Sequence, residues 1–469
     1  MKKLSFQTAL AGFLIPLAAV ICLVISGADI VIALFSAVLI ETVFCLVIRV
    51  PWEEINDAMM KGGSGMLGAI LIMILVGIMV ATWMASGTIP ALLYYGTKLI
   101  TPALFLPVTF ILCTLAALAT GSSWSSAATM GIALLGIAEG MGMPLPLVVG
   151  AIISGAIVGD KMSPLSDSVL LASASTETDI FDLIACLMYT TVPLCIVCLV
   201  FFGVSGMKYS GAAINLEGIS ALTDGLLSSF TINPIMLLPL LIVVVMSLKK
   251  CPSFLAFAAG ILSSILIAVV FQGEKFMDVL AYAVNGFHIE SGVEAVDRLL
   301  NRGGALSMGQ VVFASMMAGM FSGLLKNLGI LEVLMEKLRL VVKTSRSLII
   351  STVCICALLM MGGGGQYTTL TLPGAAFGKF YEDMDIHSSV LGRTLEDIAT
   401  MLDPIIPWTV SGIYYSGLFN VPVAAYTPFT IIAFLSPAIA IINALFGIGV
   451  FRRNDRVRYN PFWRRTPNR

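Results

Sequence analysis

Charge is what this chain has least of. Of its 469 residues only 11% are Asp, Glu, Lys or Arg, while 58% are hydrophobic, against roughly 25% charged in a soluble domain. That deficit excludes a soluble globular fold and implies a polytopic membrane protein. A net charge of −1 leaves no domain-wide basic face to neutralise phosphates and argues against a nucleic-acid partner. Catalytic signatures are missing too: there is no His-Glu-x-x-His string, no Ser/His pair inside the apolar segments and no phosphate-binding glycine loop ahead of a lysine. The expectation is therefore no enzyme, no cofactor, and transport drawn from gradients rather than ATP. The nine cysteines form no redox or metal pattern, since the one close pair, Cys195 and Cys198, has only apolar neighbours. Only two histidines occur, His288 and His387. Both fall in or beside expected loops and read as solvated bystanders.

What is there is a series of long apolar runs. Segments near 8–26, 29–48, 64–86, 180–203, 232–248, 254–272, 308–327 and 425–450 have the roughly 17 to 25 residues a crossing needs. Two more, 145–171 and 386–418, are interrupted by proline and charge. Two others, 102–140 and 346–380, carry glycine-rich centres and read as re-entrant hairpins whose half-helices meet at mid-membrane. Because a second apolar run follows the first at once, Met1-Lys2-Lys3 is expected to open an uncleaved span rather than a signal peptide. With a cytoplasmic N-terminus, nineteen Lys and Arg fall inside and five outside, which is the positive-inside pattern. The arginine-rich tail from 452 to 469 reads as a cytoplasmic anchor facing anionic lipid.

The rest is organised around Gly159-Asp160-Lys161-Met162-Ser163-Pro164-Leu165-Ser166-Asp167-Ser168. Each charge there costs roughly 2.5 to 3.5 kcal/mol in a bilayer and must face a wet or protein-lined cavity. Pro164 has no amide hydrogen and disfavours helix at Ser163, so a break is expected from Gly159 to Pro164. Broken backbone at membrane depth is tolerated where it lines a cavity, and in transporters it coordinates ions. A shift of 240 residues lays Ser163-Pro164-Leu165 on Asp403-Pro404-Ile405, and one of 243 lays Trp124-Ser125-Ser126 on Tyr367-Thr368-Thr369. The expected fold is all-α and polytopic, with two inverted-topology repeats, each of three spans, a re-entrant hairpin, a broken helix and a closing span. They would occupy 1–206 and 232–451, joined by an external linker at 207–231 and followed by the tail at 452–469.

These strings, with Thr120-Gly121-Ser122-Ser123-Trp124 and Ile406-Pro407-Trp408, resemble the NhaC family of bacterial sodium/proton antiporters over about residues 8–450. The resemblance implies a secondary transporter of the bacterial cell membrane that exchanges cytoplasmic sodium for external protons by alternating access. Family members are also associated with malate and lactate exchange or amino-acid uptake, so a coupled carrier of an amino acid or small carboxylate is the alternative. More distantly, the paired tips look like the wider ion-transporter superfamily, in which tips bind sodium and substrate sits between them. Two departures stand out. The second tip, Gly362 to Gly365 with Gln366, is poorer in hydroxyls, and Asp403 stands where the first half has Ser163. The halves are not expected to bind equivalent ligands.

Sodium prefers hard oxygens. Ser122, Ser123, Ser163 and Ser166 supply hydroxyls and Asp160 and Asp167 carboxylates, converging if tip meets break, with the metal expected at Ser122, Ser123, Asp160, Ser163 and Asp167. The serines alternatively serve only close helix packing. Asp160 and Asp167 are the proton-coupling candidates, because sodium and a proton compete for one desolvated carboxylate. Lys161 between them would be their counter-ion or a structural partner. In the second half, Arg393 and Glu396 are spaced to pair on one helical face, while Gly364, Gln366, Asp397, Asp403 and Trp408 are pocket candidates. Glu41 reads as an interhelical hydrogen-bonding group. Glu177, Asp179 and Asp182 either collect cations or cap the helix that follows. Sodium, protons and the bilayer are the expected partners; a small organic solute and a homodimer stay open.

Overall fold

The computed structural model describes residues 5–99, 101–209, 216–249, 251–293, 296–297, 300–331, 333, 344–363 and 365–460. Among these, eight helices are long and apolar enough to cross a membrane, and ten spans result if two bent pairs each count as one. The chain is a multi-pass, all-helical membrane protein. Its outer faces carry Leu, Ile, Val and Phe in the open, as at Ile32, Val200 and Leu262, because lipid tails are as apolar as those side chains.

Boundaries follow local chemistry. Asp29 accepts from the Val31 amide at 2.8 Å and starts the helix Ile30–Val47. Asp179 accepts from Phe181 and Asp182 and caps Ile180–Met207, so this member of the acidic cluster caps the helix. His387 is not a solvated bystander. It is half-buried, and its Nδ1 accepts from the Ser389 amide at 3.2 Å as the cap of Ser388–Leu402.

Several elements differ from expectation. The span expected at 232–248 bends by 95° between Thr223–Ser229 and Pro234–Met246, and the closing span bends by 49° before Ile432–Phe446; Asn233-Pro234 in one case and Pro428 in the other interrupt the hydrogen-bond ladder. Past Phe276–Asn285 the described residues return to the body: the Gly304 amide donates to the Gly77 carbonyl at 2.7 Å, and Arg302 lies 3.8 Å from Glu139.

The part that positions the site is a pair of matching three-helix groups. The first arm of the first hairpin, Pro102–Thr120, packs along the first broken helix, Leu145–Met162, and both pack on the closing helix Ile180–Met207. In the second half Ser345–Met361, Ser388–Leu402 and Ile432–Phe446 touch one another in the same way. Pro102–Thr120, expected as a half-membrane arm of a re-entrant hairpin, has 19 residues, about 28 Å at 1.5 Å per residue, and is one of the eight helices long and apolar enough to cross a membrane. Its tip nonetheless ends against the first break: Gly121 is left-handed, and a Cβ there would meet the Leu165 carbonyl at 2.6 Å. Only glycine allows that approach.

Candidate functional site

The first break is shorter and later than expected. Helix continues through Gly159, Asp160 and Lys161 to Met162, and only Ser163–Ser166 leave it before Asp167–Ser175 resumes. Asp160 and Lys161 thus lie on the last helical turn, one residue apart and so about 100° apart in direction. That turn sends them to different places.

Asp160 faces the first hairpin tip. Its Oδ2 accepts from the Ser123 amide at 3.1 Å, while Oδ1 has no hydrogen-bond partner among the described residues, and the side chain is more than nine-tenths buried. Ser122 caps the short helix that starts at the tip, accepting from the Ser125 amide at 3.2 Å. Ser163 is committed elsewhere: its hydroxyl donates to the Leu118 carbonyl at 2.8 Å and accepts from the Leu165 amide at 3.2 Å. Ser166 is 3.1 Å from the Ser168 hydroxyl and caps the helix after the break.

Lys161 turns away from Asp160 and Asp167. Its ammonium, with no exposure, pairs with Asp397 of the second broken helix and donates to the Thr190 hydroxyl at 3.4 Å. Ser436 also donates to Asp397, at 3.2 Å. The expected Arg393–Glu396 pair is replaced as well. Arg393 lies 4.0 Å from Asp397, one residue further along the helix, and donates to the Gly449 carbonyl at 2.8 Å; Glu396 accepts from Thr400. Glu41 makes no interhelical hydrogen bond among the described residues; it accepts one from the Cys45 thiol on its own helix at 3.6 Å.

The second break mirrors the first with different chemistry. After Ser388–Leu402 the chain makes a tight turn at Asp403–Ile405 and restarts at Val410. Asp403 accepts from the Ser411 hydroxyl through Oδ2, its Oδ1 has no partner among the described residues, and it too is more than nine-tenths buried. Thr409 caps Val410–Phe419 and donates to the Asp403 carbonyl. Gln366 of the second tip donates to Thr400 at 2.9 Å, and Trp408 Nε1 donates to the Met361 carbonyl at 2.8 Å. Gly364 lies outside the described residues.

Both tips and both breaks open onto one cavity of about 400 Å³. Its lining contains Ser122, Ser123, Asp160 and Asp167 from the first half and Gln366, Asp403 and Trp408 from the second. Ser163, Ser166, Lys161 and Asp397 do not line it. Sequence reasoning missed two walls, the helix segments at 65–72 and 318–322. Their signal was small residues at helical spacing: a Cβ on Gly62 would meet the Gly319 carbonyl at 2.2 Å, the close approach that small-xxx-small patterns permit. It also missed Ser168, Thr409 and the clamp on one side of the cavity. There Trp124 stacks on Tyr414 with ring centres 4.3 Å apart, donates to Ser411 at 3.2 Å, and accepts at its carbonyl from the Tyr414 hydroxyl at 3.2 Å.

Comparison with known proteins settles the kinship. The Na+/H+ antiporter family matches residues 1–176 and 155–448. The chain belongs to the Na+/H+ antiporter family. A Na(+)/H(+) antiporter NhaC of Alkalihalophilus pseudofirmus is 36% identical over 89% of this chain and 90% of its own. A malate-2H(+)/Na(+)-lactate antiporter of Bacillus subtilis is 35% identical over 91% of this chain and 92% of its own, and an arginine/ornithine antiporter, ArcD, of Halobacterium salinarum is 31% identical over 86% and 84%.

Proposed function

We propose that this protein is a secondary sodium/proton antiporter whose coupling carboxylate is Asp160. The observation that carries the reading is the state of that side chain: one oxygen held by the Ser123 amide, the other unpartnered among the described residues, buried at the wall of the cavity. A carboxylate so placed takes either a proton or a sodium ion on the free oxygen, with the Ser122 and Ser123 groups nearby completing an oxygen shell. Because both cannot occupy it at once, loading one releases the other. Asp167, exposed on the lining, suits a role in drawing cations to the site.

Alternating access is supported by the asymmetry of the cavity. Trp124 and Tyr414 close one side, while Gly65, Gly68 and Tyr367 on the lining are exposed. Lys61 and Lys326 lie at the ends of the segments that form that exposed rim, so the positive-inside rule puts the opening on the cytoplasmic face, together with both termini. The buried Lys161–Asp397 pair ties the two broken helices together, so they would move as one body against the helices at 65–72 and 318–322. The equivalent contacts of tips and breaks in the two halves favour an inverted repeat, with the site at its interface.

The test is reconstitution. Proteoliposomes loaded with sodium and diluted into sodium-free buffer should acidify internally, and potassium should not substitute for sodium. Absence of a sodium-dependent proton flux in oriented, folded protein would refute the reading.

A further inference from the structure

A buried carboxylate stands behind the cavity wall and takes no part in the coupling at Asp160. Glu396, on the helix Ser388–Leu402, has no exposure, and neither it nor Thr400 lines the cavity. Its Oε2 accepts from the Thr400 hydroxyl one turn along the helix, while Oε1 has no hydrogen-bond partner among the described residues. An ionised carboxylate with one oxygen buried and unpaired is costly, and a proton on that oxygen removes the charge.

The surrounding cations are directed elsewhere. Lys161 and Asp160 face Glu396 from Leu145–Met162, and Arg393 and Asp397 flank it on its own helix. Lys161 pairs with Asp397, and Arg393 lies 4.0 Å from Asp397 and donates to the Gly449 carbonyl. From the other elements packed on this helix, Asp167, Tyr381, Asp403, Cys186 and Cys356 make no hydrogen bond to Glu396 among the described residues. With the 240-residue shift Glu396 falls on Ala156, so the first half has no such group.

Two routes join Glu396 to the cavity. Ser168, on the helix Asp167–Ser175 after the first break, lies beside Glu396 and also lines the cavity. Its hydroxyl can take a proton from the cavity side while giving its own to Oε1, so that the serine ends unchanged. The other route runs to the second tip. Thr400 donates to Glu396 and accepts from Gln366 Nε2 at 2.9 Å, and Gln366 lines the cavity at the start of the helix Gly365–Asp383. A hydrogen bond to an ionised acceptor is about twice as strong as a neutral one, and a hydroxyl donating to an anion becomes a better acceptor for the next group in the chain. Ionised Glu396 therefore tightens Thr400 on Gln366, and neutral Glu396 slackens both bonds.

We propose that Glu396 is a second proton-binding site, reached from the cavity through Ser168, and that its proton loosens the hold of Thr400 on the second tip. Glu396 touches no cargo and acts through Thr400 and Gln366 as a positioning residue. The proposal does not rest on the antiporter reading, since a proton bound here and a tip that follows it need no sodium.

Two readouts on the full chain in lipid nanodiscs test it, both without sodium at first. Infrared difference spectra between alkaline and acid pH should show protonated carboxyl groups appearing in acid, with one component missing in Glu396→Gln and kept in Asp160→Asn. A nitroxide on Tyr367→Cys, with the exposed Cys22 and Cys354 replaced by serine, reads the tip beside Gln366. Its ratio of mobile to immobile signal should rise about tenfold in acid, the difference between a charged and a neutral acceptor. In Glu396→Gln the label should be mobile at both pH values. Thr400→Val should free the label in the same way yet keep the Glu396 infrared component, which a merely structural role for Glu396 would not produce. An infrared spectrum unchanged by Glu396→Gln overturns the proposal, as does a label in Thr400→Val that still follows pH like the parent. Loss of the Glu396 component on adding sodium would make it a cation site and overturn the proposal as well. None of these results depends on sodium/proton flux, so the failure of either reading is seen separately.

Discussion

The two halves use the same contact with opposite chemistry. At the first tip a backbone amide, Ser123, grips a carboxylate, Asp160; at the second a side-chain amide, Gln366, grips a hydroxyl, Thr400. With the 240-residue shift, Asp160 falls on Thr400 and Ser163 on Asp403, so acid and hydroxyl have exchanged places across each break. Packing differs in step. Gly155 and Gly159 bring the first broken helix onto the backbone of the hairpin arm, where added Cβ atoms would meet the Phe110 and Thr114 carbonyls at 2.3 and 2.1 Å. The second half has Leu395 and Ala399 at those positions. The first hairpin is therefore locked backbone to backbone and the second is held through side chains, and Trp124 is clamped while Tyr367 is 59% exposed. A closely packed first half facing a looser second half is what this difference teaches.

The largest effect should come from breaking the link between halves. Lys161→Ala leaves Asp397 buried with Arg393 at 4.0 Å and the Ser436 hydroxyl and is expected to destabilise by about 3 to 5 kcal/mol; thermal unfolding in detergent reads it. A single variant as stable as the parent would show that the pair is not structural. Next comes the packing contrast. Gly159→Ala should cost about 1 to 3 kcal/mol by overpacking, while Ala399→Gly, its counterpart, should cost no more than about 1 kcal/mol, the helix-propensity difference. Equal costs would erase the claimed difference in rigidity.

A smaller effect separates the tips. Ser122→Ala removes a helix cap, worth roughly 0.5 to 2 kcal/mol, and should also raise the sodium concentration for half-maximal exchange. Ser123→Ala keeps the amide that holds Asp160 and should shift sodium dependence less. The reverse order would return the contact to the Ser123 hydroxyl. The smallest effect lies outside the membrane. Ser291 donates twice to Asp297, at 2.6 and 2.7 Å, and holds its carboxyl below the usual range. A depressed carboxylate pKa stabilises the folded loop at neutral pH, and that contribution is lost as pH falls through the depressed value. Limited proteolysis of the 286–304 stretch should accelerate only in acid, and Asp297→Asn should remove the pH dependence.

Much of this was legible because membrane proteins write their order in hydropathy. Most spans and both interruptions follow from apolar runs, Pro164 and Pro404, while the family and seven cavity residues follow from the Gly159–Asp167 string, the two glycine tips, the acids of the second half and Ile406-Pro407-Trp408. Partners were not legible. Asp160 and Lys161 are neighbours in sequence, yet one helical turn sends them to different halves, and Asp397 sits 236 residues from the lysine it binds. Nor does sequence spacing say that Ser163 would spend its hydroxyl on the Leu118 carbonyl. The walls at 65–72 and 318–322 carry no charge or hydroxyl cluster to mark them; only their small residues hint at a close approach.

The central claim is that one carboxylate exchanges sodium for a proton, and Asp160→Asn tests it most directly. Asparagine keeps the shape and can still accept from the Ser123 amide, but it cannot carry a proton. In proteoliposomes under an imposed sodium gradient, the variant should reconstitute as a folded protein, with sodium-driven proton flux reduced to the level of empty vesicles. Parental flux with a parental pH profile would contradict the account and move the coupling to Asp403.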